Sequence, residues 1–339
     1  MANTLDAHLE AAWKLLESGD FAGARKQAED AVALDDDSAD AHTILGAVAA
    51  AEGDVERALA SLDRAMDLDP EAFDPALLAA ETMAGAGQLE DALEACDVAL
   101  DRAEEEDEYL DALLLRAELE LGTGHPEAAQ QTLGELPPAG TELPEPTHHL
   151  RVAGCLLELG ELESAEQHLE AALKREPDSA DALHLLGLVS EALGDREKMI
   201  ARFQRVRALD VKQPEPAWSI SMERLEARAQ AALEELPEKA RELLGNVPIV
   251  IEDYPSEELV ADGLDPRLLG LFSGIPYPEQ SALSGQPPHL ECVMLFKRNI
   301  ERDARTAEEV DQELRTTLLH ETGHFFGLDE EDLEDLGLD

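Results

Sequence analysis

Along residues 5–213 the chain alternates apolar-striped segments of helical length with a glycine that recurs at Gly19, Gly53, Gly87, Gly124, Gly160 and Gly194, at spacings of 34, 34, 37, 36 and 34. A period near 34 predicts a helix-turn-helix unit repeated six times. Neither helix of such a unit can bury its apolar stripe alone, so the units stack and share one continuous core. The second unit, ADAHTILGAVAAAEGDVERALASLDRAMDLDPEA, places the small residues Gly46 and Ala58 where two helices must approach closely. The fourth unit is degenerate. Its tract LPPAGTELPEPT (136–147) forbids continuous helix, so a loop or a kink is expected there.

Near residue 214 the pattern changes to α+β. An amphipathic helix is predicted at about 216–235, closed by Pro237, with a short helix up to Gly245. VPIVIED (247–253) is a β-branched run of strand length. Residues 263–289, rich in Gly and Pro, predict a long surface loop, and HLECVMLFKRNI (289–300) a second strand. The last helix has an explicit start in the capping box of Thr306 and Glu309, followed by a core stripe of Val310, Leu314, Leu318 and Phe325.

Charge narrows the function classes. The 339 residues hold 77 Asp and Glu against 26 Lys and Arg, a net charge of −51, and both halves are acidic. Such a field repels phosphate backbones and anionic headgroups, which argues against nucleic acid and acidic membranes as partners. An apolar content of 44% still allows packed cores. The opening MANTLDAHLE lacks a basic region followed by an apolar one, and no stretch reaches the length of a membrane span, so a soluble cytoplasmic protein is expected. Cys96, Cys155 and Cys292 show no metal-site or disulfide spacing and are expected to be buried thiols.

The candidate chemistry lies in HETGHFFGLDEE (320–331). His320 and His324 are one helical turn apart, so both imidazoles project from one face and can hold one ion, while Glu321 beside them can reach water on that ion. Neutral imidazoles suit Zn²⁺, which needs a third protein ligand and keeps one position open. Glu321 is then the candidate general base of a hydrolysis. Gly327 can end the helix in a left-handed turn, after which Asp329 and Glu330 can return an oxygen to the metal. Spacing favours Glu330 as third ligand; Asp329 is one residue early but has the more usual chemistry. Tyr277 and Arg298 could serve as additional oxyanion donors by chemistry alone. The remaining histidines show no ligand spacing, and the adjacent His148 and His149 are expected to be solvated.

Two resemblances follow from these residues. The repeated unit resembles the tetratricopeptide repeat (TPR), with Leu45, Gly46, Ala58, Leu62, Ala65 and Pro70 at its hallmark positions, and the theme returns at Gly160, Ala165, Leu169, Ala172 and Pro177. This implies a groove lined by the second, fifth, ninth, twelfth and thirteenth positions of each first helix. Those positions contain no Lys or Arg, and the second is Asp6, Asp40, Asp74, Asp111 and Asp181 in five of the six units. A basic or apolar protein or peptide partner would suit such a groove, although Asp near a helix start also satisfies orphan amides without any ligand.

Residues 216–336, including LLGLFSG (268–274), VMLFKRNI and TLLHETGHFFGLDEEDLEDLG, resemble the small bacterial zincin-like metallopeptidases, whose motif is H-E-x-x-H-x-x-G-x-x-D. That resemblance implies a short sheet over the site helix, zinc on His320, His324 and an acid, and Glu321 as base. Glu330 in place of Asp departs from that motif and leaves Asp329 in contention, while the absence of a downstream Met-turn fits a minimal member of the group. The fold class expected is an α-helical TPR solenoid (5–213) followed by a small α+β zincin-like domain (215–339). The function expected is a zinc metallopeptidase with a partner-binding array; the alternative is a scaffold whose metal site is structural or vestigial.

Overall fold

The computed structural model describes residues 2–137, 140–235, 248–273, 292–302, 304 and 306–326. The chain divides into two compact units, Met1–Pro177 and Asp178–Asp339.

The first unit consists of five helical hairpins: α1 (Ala2–Glu17) with α2 (Phe21–Leu34), α3 (Ala39–Ala51) with α4 (Val55–Leu68), α5 (Asp74–Gly85) with α6 (Leu89–Arg102), α7 (Glu106–Gly122) with α8 (Pro126–Leu133), and α9 (Pro146–Glu158) with α10 (Leu162–Arg175). The periodic glycine ends the first helix of each. All six recurring glycines have φ between 73° and 78°. In the first hairpin the Gly19 N–H donates to the Leu16 carbonyl at 3.0 Å and the Asp20 N–H to the Leu15 carbonyl at 2.8 Å, which closes the helix by a Schellman turn. Any L side chain there would cost roughly 1–2 kcal/mol, so the repeat period is a record of backbone geometry.

Small residues let the helices meet. Ala58, Ala65, Ala92 and Ala99 are fully buried, as are the larger Ile44 and Leu62 between them. A Cβ at Gly46 would stand 2.6 Å from Leu62 Cγ, so the helices of this hairpin can touch only through glycine. As expected, the fourth hairpin is the irregular one, since α8 has only eight residues and no helix spans the described part of 134–145. Arg175 donates to the Leu143 and Pro144 carbonyls, both at 2.8 Å, and ties that loop to α10.

Two expectations about side chains divide. Cys96 and Cys155 are buried, and burial pushes both thiols up to about 12, which leaves them protonated and inert, whereas Cys292, expected buried as well, is only half-buried. His148 and His149, expected in solvent, are instead buried at 6% and 1% exposure. His148 Nε2 lies 3.0 Å from Asp111 Oδ1, and His149 Nδ1 lies 3.0 Å from Nδ1 of the equally buried His168. The pair can form only with one ring donating and the other accepting, so at least one of the two is neutral.

Burial and the neighbouring imidazole hold His168 down to about 4. An unfolded histidine titrates near 6.5, so the unfolded chain takes up this proton first as pH falls. The pair's contribution is therefore intact above about pH 6.5 and is lost as pH falls toward 4. Urea unfolding of the full chain should show a lower midpoint at pH 5 than at pH 7, and the difference should shrink in the His149→Leu/His168→Leu double variant.

The second unit begins with a sixth hairpin, α11 (Ala180–Ala192) and α12 (Arg196–Asp210), and continues through α13 (Met222–Glu235), β1 (Ile249–Glu252), α14 (Glu257–Ala261), β2 (Gly270–Ser273), β3 (Cys292–Phe296), α15 (Lys297–Ile300) and α16 (Ala307–Phe326). The three-stranded sheet has the order β1-β3-β2. β1 runs parallel to β3, with Ile249 opposite Val293, and β2 antiparallel to it, with Gly270 opposite Leu295. Ile220, Leu225 and Ala229 join Val293 and Leu295 of β3 and Val310, Leu314 and Leu318 of α16 in one core.

The structure differs from the sequence reading at two places. The segment expected to be loop after residue 263 holds β2, whose four residues are too few for a hydropathy pattern to reveal. The strand expected over 289–300 stops at Phe296, because Lys297 turns inward to a buried anion. Lys297 Nζ donates to Glu301 Oε2 at 3.0 Å and to Ser219 Oγ at 2.8 Å, and Glu301 also accepts from the Ile220 N–H at 3.0 Å. The i,i+4 spacing of that ion pair requires helix.

Candidate metal centre and active site

The site grows from α16. Thr306 Oγ1 accepts from the Glu309 N–H at 3.2 Å, as the capping box predicts, and Val310, Leu314 and Leu318 are 0%, 1% and 0% exposed. A helix pinned to the sheet by that stripe carries His320 on its flank, half-buried, and Glu321 on the sheet side at 7% exposure. Thr322 Oγ1 donates back to the Leu318 carbonyl at 2.7 Å and is satisfied within the helix.

Glu321 meets the edge of the sheet. The Phe272 N–H of β2 donates to Glu321 Oε2 at 2.6 Å. Among the described residues β2 pairs with β3 alone, and this amide meets α16 instead. The approach is possible because Gly270 has no side chain: a Cβ there would stand 2.8 Å from Thr317 Cγ2, 2.9 Å from Glu321 Cγ and 3.2 Å from the Met294 carbonyl. Neither the strand nor the role of Gly270 was visible in the sequence. The one signal that could have found them was a glycine flanked by apolar residues in LLGLFSG.

His320 and Glu321 share a cavity of about 170 Å³ with Leu268, Gly270, Thr316 and Thr317. A second cavity of about 380 Å³, which shares Leu269, Glu313 and Thr316 with the first, continues toward Asn299 and Glu309. The sequence-predicted residues are thus partly assembled. His320 and Glu321 stand together on one cavity, and His324 follows His320 by one turn of the same helix. Asp329, Glu330, Gly327 and Tyr277 lie outside the described residues. Among the described residues no three His, Cys, Asp or Glu side chains form a metal-binding group. Of the proposed ligands His320 lies on the cavity among the described side chains, and an imidazole is a donor that Zn²⁺ takes.

Arg298 serves elsewhere. It donates to the Pro214 carbonyl at 2.7 Å and lies 5.7 Å over the Tyr254 ring, which makes it a fastener of the segment after α12.

The groove positions of the repeats gain partners that their spacing did not reveal. Asp111 lies in the second turn of α7, too far in to cap it, and contacts His148 and Arg151. Arg151 also makes a two-pronged pair with Glu118, at 2.7 and 2.8 Å. Asp181 of α11 pairs with Arg267 at 2.7 Å. At Asp74, partial desolvation and the carboxylates of Glu108 and Asp40 push the pKa up.

Comparison with known proteins agrees with this architecture. Residues 244–338 match the zincin-like metallopeptidase family, and residues 9–73, 49–110 and 146–189 match three tetratricopeptide repeat families. The human and mouse FK506-binding protein-like proteins are each 38% identical over 97 residues, 26% of this chain and 27% of their own length. The chain thus spans about a quarter of the curated relatives it matches. Among solved structures, pilF of Pseudomonas aeruginosa aligns with TM-score 0.52 at 18% identity, over 68% of this chain and 98% of its own. PilW, a type IV pilus biogenesis factor, aligns with TM-score 0.52 at 17% identity, over 62% of this chain and 94% of its own. At such identities the likeness is one of fold. No helix among the described residues is long and apolar enough to cross a membrane.

Proposed function

We propose that the chain is a zinc-dependent peptidase of the cytoplasm, with its peptidase domain over 215–339 and a repeat array over 5–213 that recruits a protein or peptide. The observation that carries this reading is the placement of Glu321 beside His320, on a cavity beside β2. His320, His324 and an acid, Glu330 by spacing or Asp329, hold the metal. Zn²⁺ bound there would polarise the scissile carbonyl and acidify a water molecule. Glu321 accepts the proton of the attacking water and returns it to the leaving amine, so that water adds across the C–N bond. The Phe272 amide fixes the carboxylate for this transfer.

For the partner, the chain supplies its own examples. Arginines already sit on Asp111 and Asp181, two of the recurring groove positions, and burial together with the neighbouring carboxylates of Glu108 and Asp40 pushes the pKa of Asp74 up. A segment bearing Arg or Lys would relieve that repulsion at Asp40, Asp74 and Glu108.

Metal analysis of the purified full chain tests the reading. One zinc per chain is expected, together with peptide hydrolysis that a chelator removes and added zinc restores. His320→Ala should lose the metal, and Glu330→Ala should lose it more completely than Asp329→Ala. Zinc bound in full without hydrolysis of any peptide would favour the scaffold, and absence of zinc affinity would sink the proposal.

A further inference from the structure

Six of the chain's 26 cations lie between Arg196 and Lys212, on and just after α12, an unexpected density in a protein of charge −51. Several of them face the segment that leads into β2. Arg196 donates to the Asp262 carbonyl, and its guanidinium lies against Gly263, whose φ of +104° admits no side chain readily. Arg207 donates to the Pro255 carbonyl at 2.6 Å. From α11, His184 Nε2 lies 2.9 Å from both oxygens of Asp265, and Asp181 holds Arg267 at 2.7 Å.

Asp210, the last residue of α12, is the hub. Its side chain is only 3% exposed and accepts from Arg267 Nε at 3.1 Å and from Arg302 Nη2 at 2.7 Å, while its carbonyl accepts from the Tyr254 hydroxyl at 2.9 Å. The other side of the segment is held by Asn299, which donates to the Pro266 and Leu268 carbonyls, both at 2.8 Å. Two residues beyond Leu268 the chain becomes β2, a strand of four residues whose one partner strand among the described residues is β3. So short a strand has little positional stiffness of its own. Its register against α16 depends on where residues 262–268 are fastened.

We propose that Arg267 is a positioning residue for Glu321: clamped by Asp210 and Asp181, it fixes the entry to β2 and so the Phe272 amide that holds the Glu321 carboxylate. The sixth hairpin is by this argument part of the peptidase machinery, and two of its groove positions, Asp181 and His184, contact the chain's own Arg267 and Asp265. The inference rests on the peptidase reading for its kinetic consequence, but not for its structural one.

The test uses the full chain with Arg267→Met, Arg267→Lys and Asp181→Asn, and measures zinc content, kcat and KM, and amide hydrogen exchange over residues 268–273. Arg267→Met should keep its zinc, lose about tenfold or more in kcat with KM within about twofold, and exchange the Phe272 amide about tenfold faster, because displacing a catalytic group by a fraction of an ångström costs rate rather than binding. Arg267→Lys should recover part of both losses, since one ammonium reaches one of the two acids but cannot span them. Should Arg267→Met fail to fold, Asp181→Asn, at a side chain 66% exposed, should show the same two changes at about two- to threefold. Unchanged exchange at Phe272 in a folded variant overturns the proposal. If the zinc-loaded parent hydrolyses nothing, the peptidase reading fails, and the exchange rates still decide whether Arg267 positions β2.

Discussion

Replacing Glu321 with Gln is expected to lower peptide hydrolysis by about 10³-fold while zinc content, thermal midpoint and circular dichroism stay as in the parent. The substitution keeps the shape of the side chain, and its amide oxygen can still accept from the Phe272 N–H that now binds Oε2. What is lost is the ability to accept a proton. Glu321 is buried at 7% exposure, so a bulkier or shorter replacement would disturb the helix–sheet contact and confuse the two effects. Retained zinc with abolished hydrolysis identifies the carboxylate as base. Hydrolysis at the parent rate removes Glu321 from the mechanism, and loss of zinc along with activity assigns it to holding the fold of the site instead.

The second large effect is expected at Gly270. A Val there must place its Cβ within 2.8 to 3.2 Å of Thr317, Glu321 and the Met294 carbonyl, and two methyl groups add to that crowding. β2 would have to move off α16, at a cost of about 1–3 kcal/mol for overpacking. The same displacement would carry the Phe272 amide away from Glu321 and lower kcat by about 10²-fold, an effect of misplacement rather than of lost chemistry. Chemical denaturation and steady-state kinetics on the one variant read both. Val at this position with normal stability and normal kcat would mean that β2 does not pack on α16 as described. Gly270→Ala should lie between Val and the parent in both measurements.

Asp111, Asp181, Arg151 and Arg267 illustrate where sequence reasoning stops. A recurring Asp at one position of each repeat is visible in the chain, and so is the local explanation that it serves the helix start. For Asp111 that explanation fails because α7 begins earlier, at Glu106, than the repeat period implies. The cations that meet these acids come from the next hairpin at Arg151 and from the loop before β2 at Arg267, and no spacing rule links them. His149 and His168 are a similar case: adjacent histidines look solvated in sequence, yet the second of them faces a ring 19 residues away in the core of its hairpin.

The sequence by itself determined what depends on a few neighbouring residues: six hairpins marked by glycines at φ near +75°, which only glycine adopts cheaply, and a last helix that carries His320, Glu321 and His324 in consecutive turns. Tertiary structure alone decided what depends on the path of the chain. It put β2 into a stretch read as loop, delivered the Phe272 amide to Glu321 from 49 residues away, and joined His184 to Asp265 across 81 residues. Backbone preference acts within a turn or two, so a local window reveals it. Hydrogen bonds and ion pairs between distant segments form only after the apolar stripes have collapsed, and which groups then meet is set by packing rather than by their own positions in the chain.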